Sequence, residues 1–319
     1  MPENPKTMRA VGFNEPLPID HPSSLLDVVV DVPTISGREI LVQIKANAVN
    51  PVDFKPRLKP VNFTSPPKIL GLDASGVVVA VGLDVTLGHG ANAEYQAIDE
   101  RFAALKPSSL SFGDAAALPL TTMTAYDSIF IRLGVSKKDL VANKSVLILN
   151  GSGGVGSIAI QLLKELTDSA WVTQLGADHV VNHAEDIPKQ LAAAGIPQVD
   201  YILVFTELPP YFDAIVQVIK PQGKICAITP IKDNLPFQNL FFKSVTFVWE
   251  TLTTRHMLDT DDLIVHRHVL TEVRDLVDAK RLRSIVVENL GVINAANLKK
   301  AHAALEGRRV VGKLVLTGF

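Results

Sequence analysis

The chain has 319 residues, 47% of them hydrophobic and 20% charged, a balance that predicts compact folded domains rather than disorder. Its 31 basic and 33 acidic side chains leave a net charge of −2 with no basic block, which excludes nucleic-acid or anionic-membrane binding by bulk charge. One cysteine, Cys226, excludes an intrachain disulfide and a zinc lobe built from cysteines, and no apolar run approaches the roughly 20 residues of a membrane-spanning helix. The N-terminal residues are polar and lack the apolar core of a secretion signal, so the expectation is a cytoplasmic protein with no membrane partner.

Up to about residue 120, short strand-like runs such as 40–44 and 76–81 alternate with Pro- and Gly-rich turns, which predicts an antiparallel, barrel-like β domain. Residues 114–133 are predicted helical with a break near Pro119. The apolar run 146–149 leads into Gly151, Ser152, Gly153, Gly154, Val155 and Gly156, then into a helical pattern of Ile158, Ala159, Leu162, Leu163 and Leu166. Strand, glycine turn and helix in that order form the dinucleotide-binding fingerprint. The first Gly is expected to allow the tight turn, the second to let backbone approach a pyrophosphate, and the third to let helix pack on strand. Free N–H groups at the helix start would meet the phosphates.

Further strands are predicted at 179–182, 200–205, 224–228 and 244–249, with a closing strand at 313–316. Helices are predicted at 170–175, capped by Gly176, at 212–219, stopped by Pro221 and Gly223, and at 263–277. Strands alternating with helices predict a doubly wound parallel sheet. Two places are short for that fold. Between 166 and 175 there is no room for the second strand and its turns, and 83–93 is similarly abrupt. Either both are true deletions or segments are absent from the given sequence, and the second reading is favoured because losing an internal strand of a parallel sheet leaves a hole in the core. His266 and His268 stand two apart on a helix, share no face, and are expected to be solvated rather than metal-bound.

Residues 46–55, 71–76, 115–125 and 176–180, the glycine turn, and Gly312-Lys313 occur in one order along the chain. In these motifs the sequence resembles the medium-chain dehydrogenase/reductase superfamily. Within it, the likeness is to the zinc-free quinone oxidoreductases of the zeta-crystallin-like group, often labelled zinc-type alcohol dehydrogenase-like proteins. The resemblance implies an α/β protein with a GroES-like barrel-like β domain, 1–122 and 283–319, and a Rossmann domain, 123–282. Zinc members carry a cysteine where this chain has Asn50 and a Gly-His-Glu where it has Gly71-Leu72-Asp73, so no metal is expected.

Without a Lewis acid, alcohol oxidation lacks support for the alkoxide, whereas hydride delivery to a quinone or an α,β-unsaturated carbonyl needs less help. The resemblance implies NADPH as cofactor and Asn50, Asp53 and Lys55 near the nicotinamide. Lys55 either polarises the acceptor oxygen or pairs with Asp53, and all three read equally as a polar turn that orders the domain junction. Thr124 matches a threonine near the nicotinamide, and His183 a position near the adenosine ribose or its phosphate. Phe205 and Thr229 end parallel strands, where ligands sit in such sheets, and read equally as core or turn residues. Lys313 resembles a lysine that closes on the cofactor, or is a solvated lysine at a strand start. Residues that choose NADPH over NADH belong to the short segment at 166–175. The resemblance also implies a homodimer joined at sheet edges, with 244–249 as the edge candidate. An NADPH-binding sensor with little turnover and a zinc alcohol dehydrogenase are the alternative functions.

Overall fold

The structure, a computed structural model, describes residues 5–58, 67–82, 90–136, 138–139, 142–165 and 175–319. Its contacts divide the chain into two units, Met1–Leu120 with Thr260–Phe319, and Thr121–Asp259.

The first unit starts with β1 (Thr7–Phe13) and β2 (Leu26–Asp31), an antiparallel pair. In β2 half-buried Leu26, Val28 and Val30 alternate with exposed Asp27, Val29 and Asp31, the period-two pattern of a strand with one covered face. The central strand is β3 (Glu39–Ala48). Asn50 then begins α1 (Pro51–Phe54), with Pro51 in the first turn, where its missing N–H costs nothing. β4 (Lys68–Ile69) pairs with β1, and β5 (Asp73–Val81) runs antiparallel along one side of β3. The other side of β3 takes β6 (Tyr95–Asp99) along residues 39–43, and β12 of the C-terminus along residues 46–48. α2 (Phe112–Ala116) follows, N-capped by Ser111.

In the second unit, α3 (Pro119–Tyr126), which starts at the end of the first, runs into a π-helical turn, Asp127–Arg132. Four strands follow, β7 (Val146–Leu149), β8 (Val199–Val204), β9 (Ile219–Ala227) and β10 (Thr246–Trp249), paired in parallel in the order β10-β9-β8-β7. The helices α4 (Gly154–Glu165), α5 (Ile187–Ala193) and α6 (Phe212–Val218) lie between them in sequence. Leu147, Leu149, Ile202, Val204 and Ile225 of the strands pack with Leu191, Phe212 and Ile215 of the helices in one core. The chain then adds α7 (Val265–Asp278), β11 (Val286–Asn289), α8 (Ala295–Glu306) and β12 (Lys313–Thr317) to the first unit. There Leu298 and Ala301 of α8 meet Val11, Phe13, Ile44, Val49, Leu314 and Leu316.

Several sequence expectations need correction. Residues 179–182 form no strand. Val180 is 81% exposed, and among the described residues β7 has a ladder partner on one side only, so nothing holds 179–182 extended. Helix α6 ends at Val218 because Ile219 already turns extended, and Pro221 and Gly223 lie inside β9 at a register shift, where Gln222 has φ +62°. His266 is buried against Phe102, ring centroids 4.8 Å apart, while His268 is exposed. Residues 260–282, expected in the nucleotide domain, belong to the first unit. Asp278 accepts from the Ser108 and Ser109 N–H groups, and Arg267 pairs with Glu100. The short places at 83–93 and 166–175 lie largely outside the described residues, and with them most of the helix at 170–175.

His302 of α8 is fully buried, with neither ring nitrogen hydrogen-bonded, beside the Phe54 ring and close to Arg57, which pairs with Glu306. Burial, helped by the Arg57 charge, pushes its imidazole down to about 4. The unfolded chain therefore takes up this proton first. The contribution is complete above the ordinary value of 6.5 and is lost as the pH falls toward 4. At 1.36 kcal/mol per pH unit the loss is on the order of 3 kcal/mol. Urea unfolding at pH 7 and pH 4 should show a smaller acid loss in His302→Leu than in the parent chain, and equal losses would refute the assignment.

Candidate functional site

Each unit carries one constellation of polar groups that its fold builds with care. In the first unit β3 ends at Ala48, and the backbone turns at Asn50 into α1. The Asn50 N–H donates to Asp53 Oδ2 at 2.7 Å, half of a capping box that closes this short helix. The Asn50 side chain points the other way. Its Nδ2 donates to Asp73 Oδ2 at 2.9 Å, and its Oδ1 accepts from Lys313 Nζ at 2.6 Å. Lys313 also donates to the Val49 carbonyl at 3.1 Å and to Asp73 Oδ2 at 3.1 Å. Asp73 Oδ1 takes the Leu120 N–H at 2.8 Å.

All four side chains are at most 4% exposed. An ammonium has three donors, and Lys313 commits all of them inside this unit. Lys313 is therefore neither solvated nor available to a cofactor in this arrangement. Burial pushes the Asp53 carboxyl up to about 7, against the pull of the Asn50 N–H and the Lys313 charge and with the push of Asp73. Asp53 Oδ1 is buried with no hydrogen-bond partner. Lys55 does not pair with Asp53. It is exposed at the end of α1, with no partner among the described residues.

In the second unit the register aligns Leu149 of β7 with Val204, Ala227 and Trp249, one row across the sheet at its carboxyl edge. The residues that follow stand together there. Asn150 enters the glycine turn, Phe205 leaves β8, Thr229 lies two residues past β9, and Glu250 follows β10. The Ser157 N–H makes the first intrahelical bond, to the Gly153 carbonyl at 2.8 Å. The N–H groups of Gly154, Val155 and Gly156 therefore have no intrahelical acceptor and point out of the helix start. A Cβ on Gly156 would lie 2.3 Å from the Asn150 carbonyl oxygen and 2.6 Å from Gly151 Cα, so this Gly permits helix-on-strand contact as expected. Gly151 does not supply the strained dihedral. The positive φ of the turn, +65°, belongs to Asn150, whose Nδ2 donates to the Phe205 carbonyl at 3.1 Å.

Thr229 Oγ1 donates to the Thr206 carbonyl at 3.1 Å, and buried Phe205 closes β8, so both belong to the same edge as the glycine turn. Thr124 is buried within α3. His183 is exposed, 3.1 Å from the Tyr211 hydroxyl. Sequence reasoning missed three features. Asp73 carried a signal, its place in the Gly71-Leu72-Asp73 motif. Asn150 carried another, since Asn tolerates the left-handed region. The ion pairs Arg132–Glu250 and Arg255–Asp127 carried none.

Comparison with known proteins places the chain in a family. An alcohol dehydrogenase GroES-like domain is matched by residues 36–92 and a zinc-binding dehydrogenase domain by residues 175–316. A zinc-type alcohol dehydrogenase-like protein of Staphylococcus epidermidis is 34% identical over 335 aligned positions, covering 97% of this chain and 99% of its own. That pairing is longer than the 319 residues here, so it opens gaps in this chain. An NADPH-dependent alkenal/one oxidoreductase, chloroplastic, of Arabidopsis thaliana is 33% identical over 263 positions, 70% of this chain and 63% of its own. Among solved structures, a Rhizobium etli CFN 42 protein assigned to the zinc-dependent alcohol dehydrogenases has a TM-score of 0.90 and 37% identity, over 98% of this chain and 99% of its own.

Gly156→Ala drives its new methyl into backbone, and Gly151→Ala meets only ordinary contacts, the Ile160 Cδ1 at 3.4 Å being nearest. Titration with NADPH, followed by its fluorescence, should therefore find binding at least about tenfold weaker in Gly156→Ala than in Gly151→Ala, a gap of about 1.4 kcal/mol. Equal affinities would show that the turn does not hold the nucleotide.

Proposed function

The chain belongs to the medium-chain dehydrogenase/reductase superfamily, as one of the zinc-type alcohol dehydrogenase-like proteins, and from that premise we propose that it is an NADPH-dependent reductase of quinones or α,β-unsaturated carbonyls that works without a metal. An oxidoreductase of this superfamily with a nucleotide-binding fold uses a nicotinamide cofactor. The choice of NADPH draws support from the Arabidopsis relative, whose name also gives the acceptor class.

The observation that carries the metal-free reading is the donor set around Asn50 and Asp73. Zinc favours thiolate and imidazole ligands in tetrahedral sites. Here Asn50 and Asp73 offer oxygens already committed to an ammonium and an amide, Leu72 beside them is apolar and 46% exposed, and Asp53 is turned back on the Asn50 backbone. No group of three or more His, Cys, Asp or Glu side chains among the described residues is arranged to hold a metal ion. These residues do not fit zinc, and no step is routed through one.

The nicotinamide, when bound, supplies the hydride. Gly154, Val155 and Gly156 offer N–H groups to its pyrophosphate, with Gly151, Ser152 and Gly153 forming the turn. Thr124, Phe205, Thr229 and His183 are proposed as further cofactor contacts. Asn50 and Asp53 are proposed as the polar groups that order the reacting centre, with Asp53 able to hold a proton near neutral pH because burial raises its carboxyl to about 7. Lys55, exposed and with no partner among the described residues, is proposed as the cation that polarises an acceptor oxygen.

We also propose a homodimer joined through β10. Among the described residues β10 pairs only with β9, and Trp249 on it is 53% exposed, as are Phe241 and Phe242 before it, at 75% and 91%. A cytoplasmic location is proposed as well. No described helix is long and apolar enough to cross a membrane.

Two measurements test these readings. Purified protein mixed with 9,10-phenanthrenequinone should consume NADPH, followed at 340 nm, about tenfold faster than NADH and at an unchanged rate with 1,10-phenanthroline. Tight NADPH binding without turnover by any quinone or enone would sink the reductase reading, and loss of activity to the chelator the metal-free one. In light scattering after size exclusion, Trp249→Glu should run as a monomer where the parent chain runs as a dimer. A monomeric parent chain would remove the dimer.

A further inference from the structure

The centre of the first unit's constellation is a positive charge in a cage of oxygens. Lys313 stands at the start of β12 and is 4% exposed. Its three bonds run to the Val49 carbonyl, Asn50 Oδ1 and Asp73 Oδ2, all between 2.6 and 3.1 Å, and every partner is buried. Two of these partners hold one another, since Asn50 Nδ2 bonds the same Asp73 oxygen. Such a triangle has one satisfactory amide orientation. If Asn50 flipped, its NH2 would face the ammonium and its oxygen the carboxylate, two like-signed contacts at under 3 Å in a site that water does not screen. Asp73 in turn has its second oxygen on the Leu120 N–H. The Lys313 ammonium and the Asp73 carboxylate offset one another, and these two are the ionisable groups that bear on Asp53.

We propose that Lys313 is the resident cation of this cluster, a positioning residue whose ammonium fixes the Asn50 amide and neutralises Asp73. The inference rests on the metal-free reading and deepens it. In a family one of whose domains is described as zinc-binding, the positive charge at this point comes from the chain itself, and it comes from the opposite end of the sequence.

A structural lysine and a positioning lysine differ in what restores them. In Lys313→Ala the cage is emptied but its oxygens remain, so n-propylammonium, which matches the lost end of the side chain, should raise the melting temperature saturably, while 1-propanol should not. The same variant should lose about tenfold or more in kcat for NADPH-driven quinone reduction, with the NADPH KM within about twofold, and propylammonium should recover most of that loss. In Lys313→Met the cage is filled by a neutral chain, so the amine should have no effect. Because Lys313→Met leaves Asp73 uncompensated and is the variant most exposed to misfolding, the double variant Lys313→Met with Asp73→Asn removes both charges. It should melt higher than Lys313→Met alone.

Equal rescue by 1-propanol would reduce the role to filling space. A large rise in NADPH KM with kcat unchanged would place the lysine on the cofactor instead. A double variant no more stable than the single would overturn the charge argument. If the parent chain reduces no quinone, the reductase reading fails, while the melting measurements still decide the inference about Lys313.

Discussion

The first unit depends on one contact made across 240 residues of sequence, the Lys313 ammonium on the Asp73 carboxylate. Asp73 opens β5 and Lys313 opens β12, and these two strands flank β3 on opposite sides. The ion pair therefore ties one neighbour on each side of the central strand to the turn that leaves it, at Val49 and Asn50. A buried pair like this is weak evidence for stability, because desolvating two charges offsets most of their attraction. Its effect is on uniqueness. Losing either partner strands a buried charge at a cost of about 3–5 kcal/mol, and only the native register of β12 delivers Lys313 to Asp73. A shift of one residue would turn the ammonium to the other face of the sheet.

The second unit is organised by its sheet, which ends four parallel strands on one row, Leu149, Val204, Ala227 and Trp249. At one end of the row the glycine turn leaves N–H groups free. At the other, Glu250 is 1% exposed and paired with Arg132 of the π-helical turn, which also places Asp127 on Arg255. π-helical turns inside helices are rare and frequent at functional sites. Here the turn holds a buried ion pair, Arg255–Asp127, and a half-buried one, Arg132–Glu250. Burial pushes Glu250 up, and its pairing with Arg132 opposes that push.

Much of this was legible in the sequence because it rests on local pattern. The glycine turn after an apolar run, the strands at 200–205 and 224–228, and the break at Pro119 all follow from residues close together in the chain. What was not legible needed partners from elsewhere. Residues 179–182 have strand-like composition but no ladder partner on the described edge of β7, and a strand exists only by pairing. Pro221 and Gly223 are helix-stop signals by type, yet a register shift absorbs both into β9. Lys313 looks like a solvated lysine at a strand start until Asp73 is brought to it. Residues 260–282 read as one more helix of the nucleotide domain because nothing local records the bonds of Asp278 to Ser108 and Ser109.

In the glycine turn the first glycine is expected to permit a tight backbone turn, yet neither it nor the other two glycines of the pattern has a positive φ. The left-handed residue is Asn150, and it pays its strain with a bond from Nδ2 to the Phe205 carbonyl, which also ties the ends of β7 and β8 together. The glycines answer to space instead. At Gly153 a Cβ would stand 2.7 Å from that same Asn150 Nδ2, and at Gly156 it would strike backbone. The amide that sets the turn is thus protected by the glycine three residues on. Steric clearance rather than backbone freedom is what selects glycine at positions 153 and 156 of this turn.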